Sequence, residues 1–340
     1  LQAFALSRSG GGGDMKIAIL GGGGCFGMNL SRHALAQGHE VWSIGRNSMK
    51  PACFSLEFSH DVADYRYEQL HLVDDLDAII ERLSEWKAEL VVNFAAQGEG
   101  AASFDPASYW WFYRTNTVGV VRLVGRLREL STLQRFIHIG TSELYGSVTR
   151  PSKEGDPLLP SSPYAASKAA ADLHLIAEGG KLPWNVIRPS NCYTPGQQLH
   201  RIVPRAMLRA LTGELLELHG AGVARKSYMH ATDLSKAIML VAEKAPTQEI
   251  YNCGPEHPVS IRELVECCAK MCAVPMARFV SIAGEREGQD GCYWLDSSKL
   301  RSLGWEPQFS LESGLYNMYM WVNAFNVELA REPQQFKLAA

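Results

Sequence analysis

The feature that most constrains the fold is a regular alternation of short apolar runs with helical stretches between Lys16 and Arg188. The runs are predominantly apolar, which is typical of strands buried on both faces. Strands separated by helices pair in parallel and are covered by those helices, which predicts an α/β fold with a doubly wound parallel sheet. The predicted strands are 16–20, 40–44, 90–94, 135–139 and 184–188, and the predicted helices are 28–37, 76–87, 115–130 and 162–178.

The pattern changes after Pro189, where turn residues become denser and short extended pieces separate the helical stretches 203–212, 232–245 and 260–271. We therefore predict a domain over 15–189 and a smaller α/β C-terminal lobe over 190–330, whose elements interleave with the first domain. Residues 1–14 and 337–340 resemble tails added by cloning, and we expect them to take no part in the fold.

Composition excludes several classes of function. The 340 residues are 46% apolar and carry a formal net charge of −3, which gives no basic footprint for nucleic acid. No apolar run approaches the roughly 20 residues of a membrane span. The eight cysteines form no Cys-x-x-Cys pair, which favours a reduced, cytoplasmic setting and no metal site.

A glycine motif, Gly21-x-x-Gly24-x-x-Gly27, lies between the first strand and the first helix. Glycine permits a tight turn and lets a diphosphate approach the helix N-terminus, where N–H groups and the helix dipole favour negative charge. The motif predicts a Rossmann-type dinucleotide site in residues 15–189.

Arg46 follows the second strand, at the position where an acidic residue would bind the adenosine ribose hydroxyls of NAD. A guanidinium can instead pair with a 2′-phosphate. The sequence therefore favours NADP as the cofactor over NAD.

Tyr164 and Lys168 lie four residues apart at the start of a predicted helix and so share one face. An ammonium beside a phenol favours the phenolate, which can take a proton from a substrate hydroxyl as hydride leaves. Thr141, Ser142 and Glu143 follow the strand 135–139, at the sheet edge where ligands bind in open α/β folds. By themselves these three residues are more typical of a helix cap with a solvated carboxylate.

The sequence from Met15 to about Pro307 resembles the extended short-chain dehydrogenases/reductases that act on nucleotide sugars. The resemblance is carried by the glycine motif and the tyrosine–lysine pair together with six further segments. These segments are 93–96 (NFAA), 115–119 (TNTVG), 141–146 (TSELYG), 188–196 (RPSNCYTPG), 226–234 (KSYMHATDL) and 296–305 (DSSKLRSLGW).

Within that family the TSELYG segment is similar to GDP-mannose 4,6-dehydratases. The resemblance implies an NDP-hexose 4,6-dehydratase, a lyase in which Tyr164 takes the 4-hydroxyl proton and Thr141 holds the 4-oxygen. It implies that Glu143, with Ser142, removes water across C5 and C6. The stored hydride then returns to C6 to give a 4-keto-6-deoxy sugar nucleotide.

The resemblance also implies the remaining site residues, a nucleotide-diphosphate sugar as substrate, and a homodimer or higher homo-oligomer. The cofactor-binding residues are expected to be Gly21, Gly24, Cys25, Phe26, Gly27, Arg46, Asp75, Ala95, Ala96, Asn116, Tyr164 and Lys168, and the substrate-binding residues Ser103, Asn191, Lys226 and Arg286.

Three alternatives on the same fold stay open. A nucleotide-sugar 4-epimerase would use Tyr164 and Thr141 and leave Glu143 idle. A UDP-glucuronate-type decarboxylase shares the Thr-Ser-Glu run. A catalytically silent NADP-binding regulator would have no physical need for the tyrosine–lysine pair.

Overall fold

The structure, a computed structural model, describes residues 15–48, 50–55, 63–98, 101–285, 290–336 and 338, so both predicted tails lie almost wholly outside it. The strands are β1 (Lys16–Leu20), β2 (Glu40–Gly45), β3 (Tyr65–Gln69), β4 (Leu90–Asn93), β5 (Arg135–Ile139), β6 (Trp184–Pro189), β7 (Asn191–Tyr193), β8 (Leu216–His219), β9 (Arg225–Lys226), β10 (Tyr228–His230), β11 (Glu249–Cys253), β12 (Val259–Ser260), β13 (Val280–Ala283) and β14 (Cys292–Tyr293). The α-helices are α1 (Cys25–Ala36), α2 (Leu76–Trp86), α3 (Tyr109–Tyr113), α4 (Val120–Leu127), α5 (Pro163–Glu178), α6 (Ile202–Thr212), α7 (Ala231–Lys244), α8 (Ile261–Met271), α9 (Ser298–Ser302), α10 (Leu311–Ala324) and α11 (Asn326–Arg331).

The described residues form a central parallel sheet of seven strands in the order β11-β6-β5-β4-β1-β2-β3. This confirms the predicted Rossmann-type, doubly wound sheet. The chain leaves β1 toward β2 and β3, then returns to β4 on the other side of β1. The carboxyl ends of β1 and β4 therefore form the crevice at which open α/β sheets bind ligands.

Apolar side chains cover both faces of the sheet. One core cluster joins the sheet to α1 and α7, and the other joins it to α2, α4 and α5. Strand β3 was not predicted because its sequence, YRYEQ, is not a continuous apolar run and it lies half-exposed at the sheet edge.

Residues 231–253, which we placed in the C-terminal lobe, complete the first domain instead. Helix α7 packs on α1, and β11 pairs with β6 at the edge of the central sheet. The elements therefore interleave, and the boundary at 189 separates only part of the lobe. The rest of the lobe has its own core around α6, α8 and α10, with three small sheets.

The loop after β2 crosses from the first domain to this lobe. Cys53 lies in the core of the lobe, and its carbonyl accepts a hydrogen bond of 2.6 Å from the indole N–H of Trp321. The two parts thus meet on either side of the crevice.

The stretch 115–130, predicted as one helix, contains a π-helical turn over Arg114–Gly119 between α3 and α4. π-Helical turns are rare and are found mostly at functional sites. This turn places Asn116 in the interior, fully buried. Among the described residues, no helix has both the length and the hydrophobicity needed to cross a bilayer.

Candidate active site

A cleft of about 850 Å³ runs along the carboxyl ends of the central strands and under the C-terminal lobe. Its wall combines the glycine-rich loop after β1, the ends of β2, β4 and β5, the start of α5 and the first turn of α6.

The glycine-rich loop is shaped for close approach to the backbone. Gly21 has φ +80°, and a Cβ there would lie 2.7 Å from the backbone nitrogen of Ala95. A Cβ on Gly27 would lie 2.7 Å from the carbonyl oxygen of Gly21. Gly24 caps α1 without a side chain, and the following Cys25 and Phe26 also line the cleft. The loop therefore fits the diphosphate of a dinucleotide, as the glycine motif predicts.

Replacement of Gly27 by alanine is expected to destabilise the fold by about 1–3 kcal/mol, because a methyl group overlaps the turn. It should also weaken dinucleotide binding. Thermal unfolding and a fluorescence titration with cofactor measure both effects. Gly125→Ala is the matched control, since a Cβ there meets nothing within 4 Å and stabilisation of roughly 0.4–1 kcal/mol is expected. Equal behaviour of the two variants would contradict the proposed close packing of the loop.

Arg46 lines the cleft at the end of β2, half-buried, and burial lowers the pKa of its guanidinium. Two residues that sequence reasoning missed lie beside it. Tyr67 donates a hydrogen bond of 2.6 Å to the carbonyl of Asn47, and His71 lines the same end of the cleft. Tyr67 lies in β3 and His71 comes two residues after it, so both were missed together with that strand.

Asp75, predicted to bind cofactor, lies outside the lining of the cleft. Its carboxylate accepts a hydrogen bond of 2.7 Å from the backbone N–H of His71 at the start of α2. This bond holds the Asp75 carboxylate against the turn that leads into α2. His71, rather than Asp75, lines the cleft.

Asn116 and Ser103 also lie behind the cleft rather than in its wall. The amide of Asn116 binds the backbone N–H and C=O of Gln97 at 2.8 and 3.0 Å, and donates to the Ser167 hydroxyl at 2.9 Å. The hydroxyl of Ser103 accepts from the backbone N–H of Tyr164 at 3.0 Å. Both side chains therefore position parts of the wall, while Ala95 and Ala96 form it directly.

The five predicted catalytic residues, Thr141, Ser142, Glu143, Tyr164 and Lys168, all line the cleft. The first three form the turn after β5, where the Thr141 hydroxyl accepts a hydrogen bond of 3.2 Å from the N–H of Glu143. Tyr164 and Lys168 come from the first two turns of α5. The edge-to-face contact of Phe112 with Tyr164, with centroids 6.3 Å apart, fixes the phenol ring against the cleft.

Lys168 is 2% exposed. Its Nζ donates to the carbonyl of Ile139 at 2.6 Å and lies 3.3 Å from Nε2 of His138. Burial lowers the pKa of Lys168 to about 8, and the carboxylate of Asp172 opposes that shift. Asp172 itself pairs with the guanidinium of Arg188 at 2.9 Å. The lysine is thus held in the protein interior with its amine at the cleft wall.

Asn191 and Lys226, predicted to bind substrate, line the opposite side of the cleft, and Arg286 lies outside the described residues. Lys226 Nζ lies 4.5 Å from the ring centroid of Tyr293, whose hydroxyl donates to Asp290 at 2.6 Å. Burial raises the pKa of Tyr293, and the charges of Glu143 and Tyr164 add to that effect. Tyr293 therefore faces the catalytic residues from the lobe.

Sequence reasoning also missed polar residues at the start of α6 and in the turn before it. Together with the predicted residue Asn191 on β7, they contribute three buried atoms that have no hydrogen-bond partner among the described residues: Asn191 Oδ1, Gln197 Oε1 and Arg205 Nε. Buried polar atoms are rarely left without partners, so this part of the wall fits a polar ligand. No three His, Cys, Asp or Glu side chains in the described ranges are grouped as a metal site requires.

A comparison with protein-family models identifies the family. The model described as "NAD dependent epimerase/dehydratase family" matches residues 17–254. The chain belongs to this family. The resemblance drawn from the sequence motifs is thereby confirmed.

Curated and solved members of the family extend the comparison. The chain is 30% identical over 339 residues to dTDP-glucose 4,6-dehydratase of Neisseria gonorrhoeae, which covers 91% of this chain and 96% of the relative. It is 29% identical to a trifunctional enzyme of Arabidopsis thaliana that includes UDP-glucose 4,6-dehydratase, and the match spans only 35% of that relative's length. The structure of dTDP-glucose 4,6-dehydratase from Streptomyces venezuelae, with NAD bound, superimposes with a TM-score of 0.84 at 28% identity, over 91% of this chain and 97% of that one.

Proposed function

We propose that the protein is a nucleotide-sugar 4,6-dehydratase that uses a bound nicotinamide dinucleotide. The observation that carries the proposal is that Glu143 lines the same cleft as Tyr164, Lys168 and Thr141. A carboxylate at this place supplies the acid/base group that elimination of water requires and that a simple oxidation does not. Two relatives that match this chain over most of their own length are named dTDP-glucose 4,6-dehydratase, and these names support the same reaction.

The glycine-rich loop, Arg46 and Ala95 would hold the dinucleotide, which supplies reversible hydride acceptance when bound. Tyr164, as the phenolate, takes the proton of the sugar 4-hydroxyl, and the Lys168 ammonium favours that phenolate. The hydroxyl of Thr141 accepts from Glu143 N–H, so its own proton is available to donate to the 4-oxygen.

Elimination then follows from the 4-ketone, which acidifies the neighbouring C5–H. The carboxylate of Glu143 takes that proton, and the electron pair forms the C5–C6 double bond as the C6 hydroxyl leaves. Protonation of that hydroxyl by Glu143, or by a water that Ser142 positions, releases it as water. The hydride would return from the bound dinucleotide to C6, and addition of a proton at C5 would complete a 4-keto-6-deoxy sugar.

A panel of nucleotide sugars tests this reaction. Each member (GDP-mannose, dTDP-, UDP- and CDP-glucose, UDP-N-acetylglucosamine and UDP-glucuronate) is incubated with enzyme and catalytic cofactor, and the products are analysed by mass spectrometry. We expect one member to lose one water with no net reduction of cofactor. Loss of carbon dioxide would indicate the decarboxylase, and an unchanged mass with a new retention time the epimerase.

We further propose NADP as the preferred dinucleotide, because Arg46 stands half-buried at the end of β2. Arg46→Ala is expected to raise the Kd for NADP by roughly 10- to 100-fold, since a hydrogen bond to a charged group contributes about 1.5–3 kcal/mol. The Kd for NAD should change little, which makes it the internal control in the same titration. Parallel losses for both dinucleotides would show that Arg46 does not read the 2′-phosphate.

We propose that the predicted homodimer forms through α3, the π-helical turn after it, and α5, the helix that carries Tyr164 and Lys168. Trp110 and Val118, before α4, and Leu173 and Ile176, on α5, are large apolar residues exposed by 62, 42, 54 and 47%. A second copy that packs these helices against their equivalents would remove this apolar surface from water. The cytoplasmic location stays a prediction from cysteine usage.

A further inference from the structure

A buried hydrogen-bond chain reaches Lys168 from Ala95 through Asn93 and His138, at the carboxyl ends of β4 and β5. The N–H of Ala95 donates to Oδ1 of Asn93 at 3.0 Å, and Nδ2 of Asn93 lies 3.3 Å from Nδ1 of His138. Nε2 of His138 lies 3.3 Å from Nζ of Lys168, which donates to the Ile139 carbonyl. Asn93 and His138 are paired across β4 and β5 and are fully buried.

The proton positions in this chain are constrained at both ends. Ala95 N–H is always a donor, and a lysine ammonium is also always a donor. Between them, the asparagine amide and a neutral imidazole each offer one acceptor and one donor at the positions used. In such a chain every link pairs a donor with an acceptor only if one end group donates and the other end group accepts. Two donor ends leave one link with donor facing donor, whichever way the amide or the tautomer is drawn.

A neutral lysine amine removes this conflict. Asn93 Nδ2 then donates to Nδ1 of His138, Nε2–H donates to the Lys168 lone pair, and the amine still donates to Ile139. A protonated His138 cannot resolve it, because both of its nitrogens would donate, and burial together with Lys168 lowers its pKa further. Buried donors are rarely left without an acceptor, so the neutral amine is the favoured arrangement.

We propose that the chain Ala95–Asn93–His138 controls the protonation of Lys168, so that the lysine loses its charge within the working pH range. His138 is a positioning residue here, since it acts only through the lysine. The other groups that face Lys168 are Tyr164 one turn before it and Asp172 one turn after it. Asp172 also pairs with Arg188 at 2.9 Å, and its carboxylate acts against the loss of charge on the lysine. The depressed pKa of Lys168 has the direction that this arrangement requires.

The consequence for catalysis rests on the proposed function. There, the ammonium stabilises the Tyr164 phenolate, so activity should fall as pH rises through the titration of Lys168. The titration itself requires no substrate and no cofactor, so it is measured independently of the reaction.

The test is an NMR titration of the full-length apoprotein labelled with ¹³C at lysine Cε and ¹⁵N in histidine. Lys168→Arg and His138→Phe assign the two signals by their absence. In the wild type we expect Lys168 to titrate well below the ordinary lysine pKa of about 10.4, and above that midpoint we expect His138 to carry its proton on Nε2. A lysine midpoint at its ordinary value, or a proton on Nδ1 at high pH, would overturn the proposal.

Asn93→Asp is the diagnostic variant, because a carboxylate accepts from both Ala95 N–H and Nδ1–H of His138. The imidazole then offers Nε2 as an acceptor to the ammonium, and the Lys168 midpoint should rise by about one pH unit, or tenfold in proton affinity. The double variant Asn93→Asp, His138→Phe separates the effect of the hydrogen-bond chain from that of the added negative charge. If the chain acts through His138, most of the rise in the Lys168 midpoint should disappear in the double variant. A shift of full size without His138 would show a through-space effect and overturn the proposal.

The alkaline limb of the pH–rate profile distinguishes this inference from the proposed function. If the NMR midpoint rises in Asn93→Asp and the alkaline limb moves with it, both stand. If the midpoint rises and the limb stays, the control of Lys168 stands and its proposed role beside Tyr164 fails.

Discussion

Replacement of Glu143 by glutamine is expected to lower turnover of the substrate by about 10²- to 10⁴-fold, the usual contribution of a general acid or base. The amide keeps the shape of the side chain but cannot take the C5 proton. Oxidation of the sugar at C4 depends on Tyr164 and Thr141 and should persist. Reduced dinucleotide should therefore accumulate, visible by its absorbance in a single-turnover mixture of enzyme, oxidised cofactor and substrate.

The control for this variant is Glu81→Gln, an exposed carboxylate on α2, which should retain wild-type turnover and show no accumulation. Wild-type turnover in Glu143→Gln would mean that the carboxylate is idle and would favour the epimerase. Loss of turnover without reduced dinucleotide would place Glu143 in the oxidation step and contradict its assignment to elimination.

Replacement of Tyr164 by phenylalanine should abolish the first step instead. Turnover is expected to fall by about 10²- to 10⁴-fold, since no group then takes the 4-hydroxyl proton. No reduced dinucleotide should appear, which distinguishes this variant from Glu143→Gln. Binding of the dinucleotide should be retained, because the ring stays in place against Phe112.

Tyr316→Phe, on the exposed face of α10, is the matched control for loss of a phenol. Single-turnover absorbance and a cofactor titration give the two readouts. A Tyr164→Phe enzyme that still oxidises its substrate would remove the tyrosine from the mechanism and with it the proposed part of Lys168.

Much of the fold could be predicted because burial leaves a direct pattern in the sequence. β1 and β5 span the residues predicted for them, 16–20 and 135–139. The place of the glycine-rich loop and of the five proposed catalytic residues in the cleft wall could also be predicted, since glycine spacing, a strand end and a helical i, i+4 pair each fix a local geometry.

What could not be predicted depends on contacts between distant segments. β3 is half-exposed, so the part of the cleft wall formed by Tyr67 and His71 was missed. Asp75, which was predicted to bind cofactor, lies outside that wall. The π-helical turn around Asn116 has no periodicity distinct from that of an α-helix over so few residues. The adjacency of Asn93 and His138 requires the register of β4 with β5, which the sequence alone does not provide.

In the proposed reaction, hydride leaves C4 and returns to C6 of the same sugar as water is lost. The most direct measurement uses the nucleotide sugar that the panel identifies, labelled with deuterium at C4, and analyses the product by mass spectrometry and NMR. We expect a product that has lost one water and retains the deuterium at C6. A dehydrated product without deuterium, or a labelled product of unchanged mass, would contradict the proposed reaction.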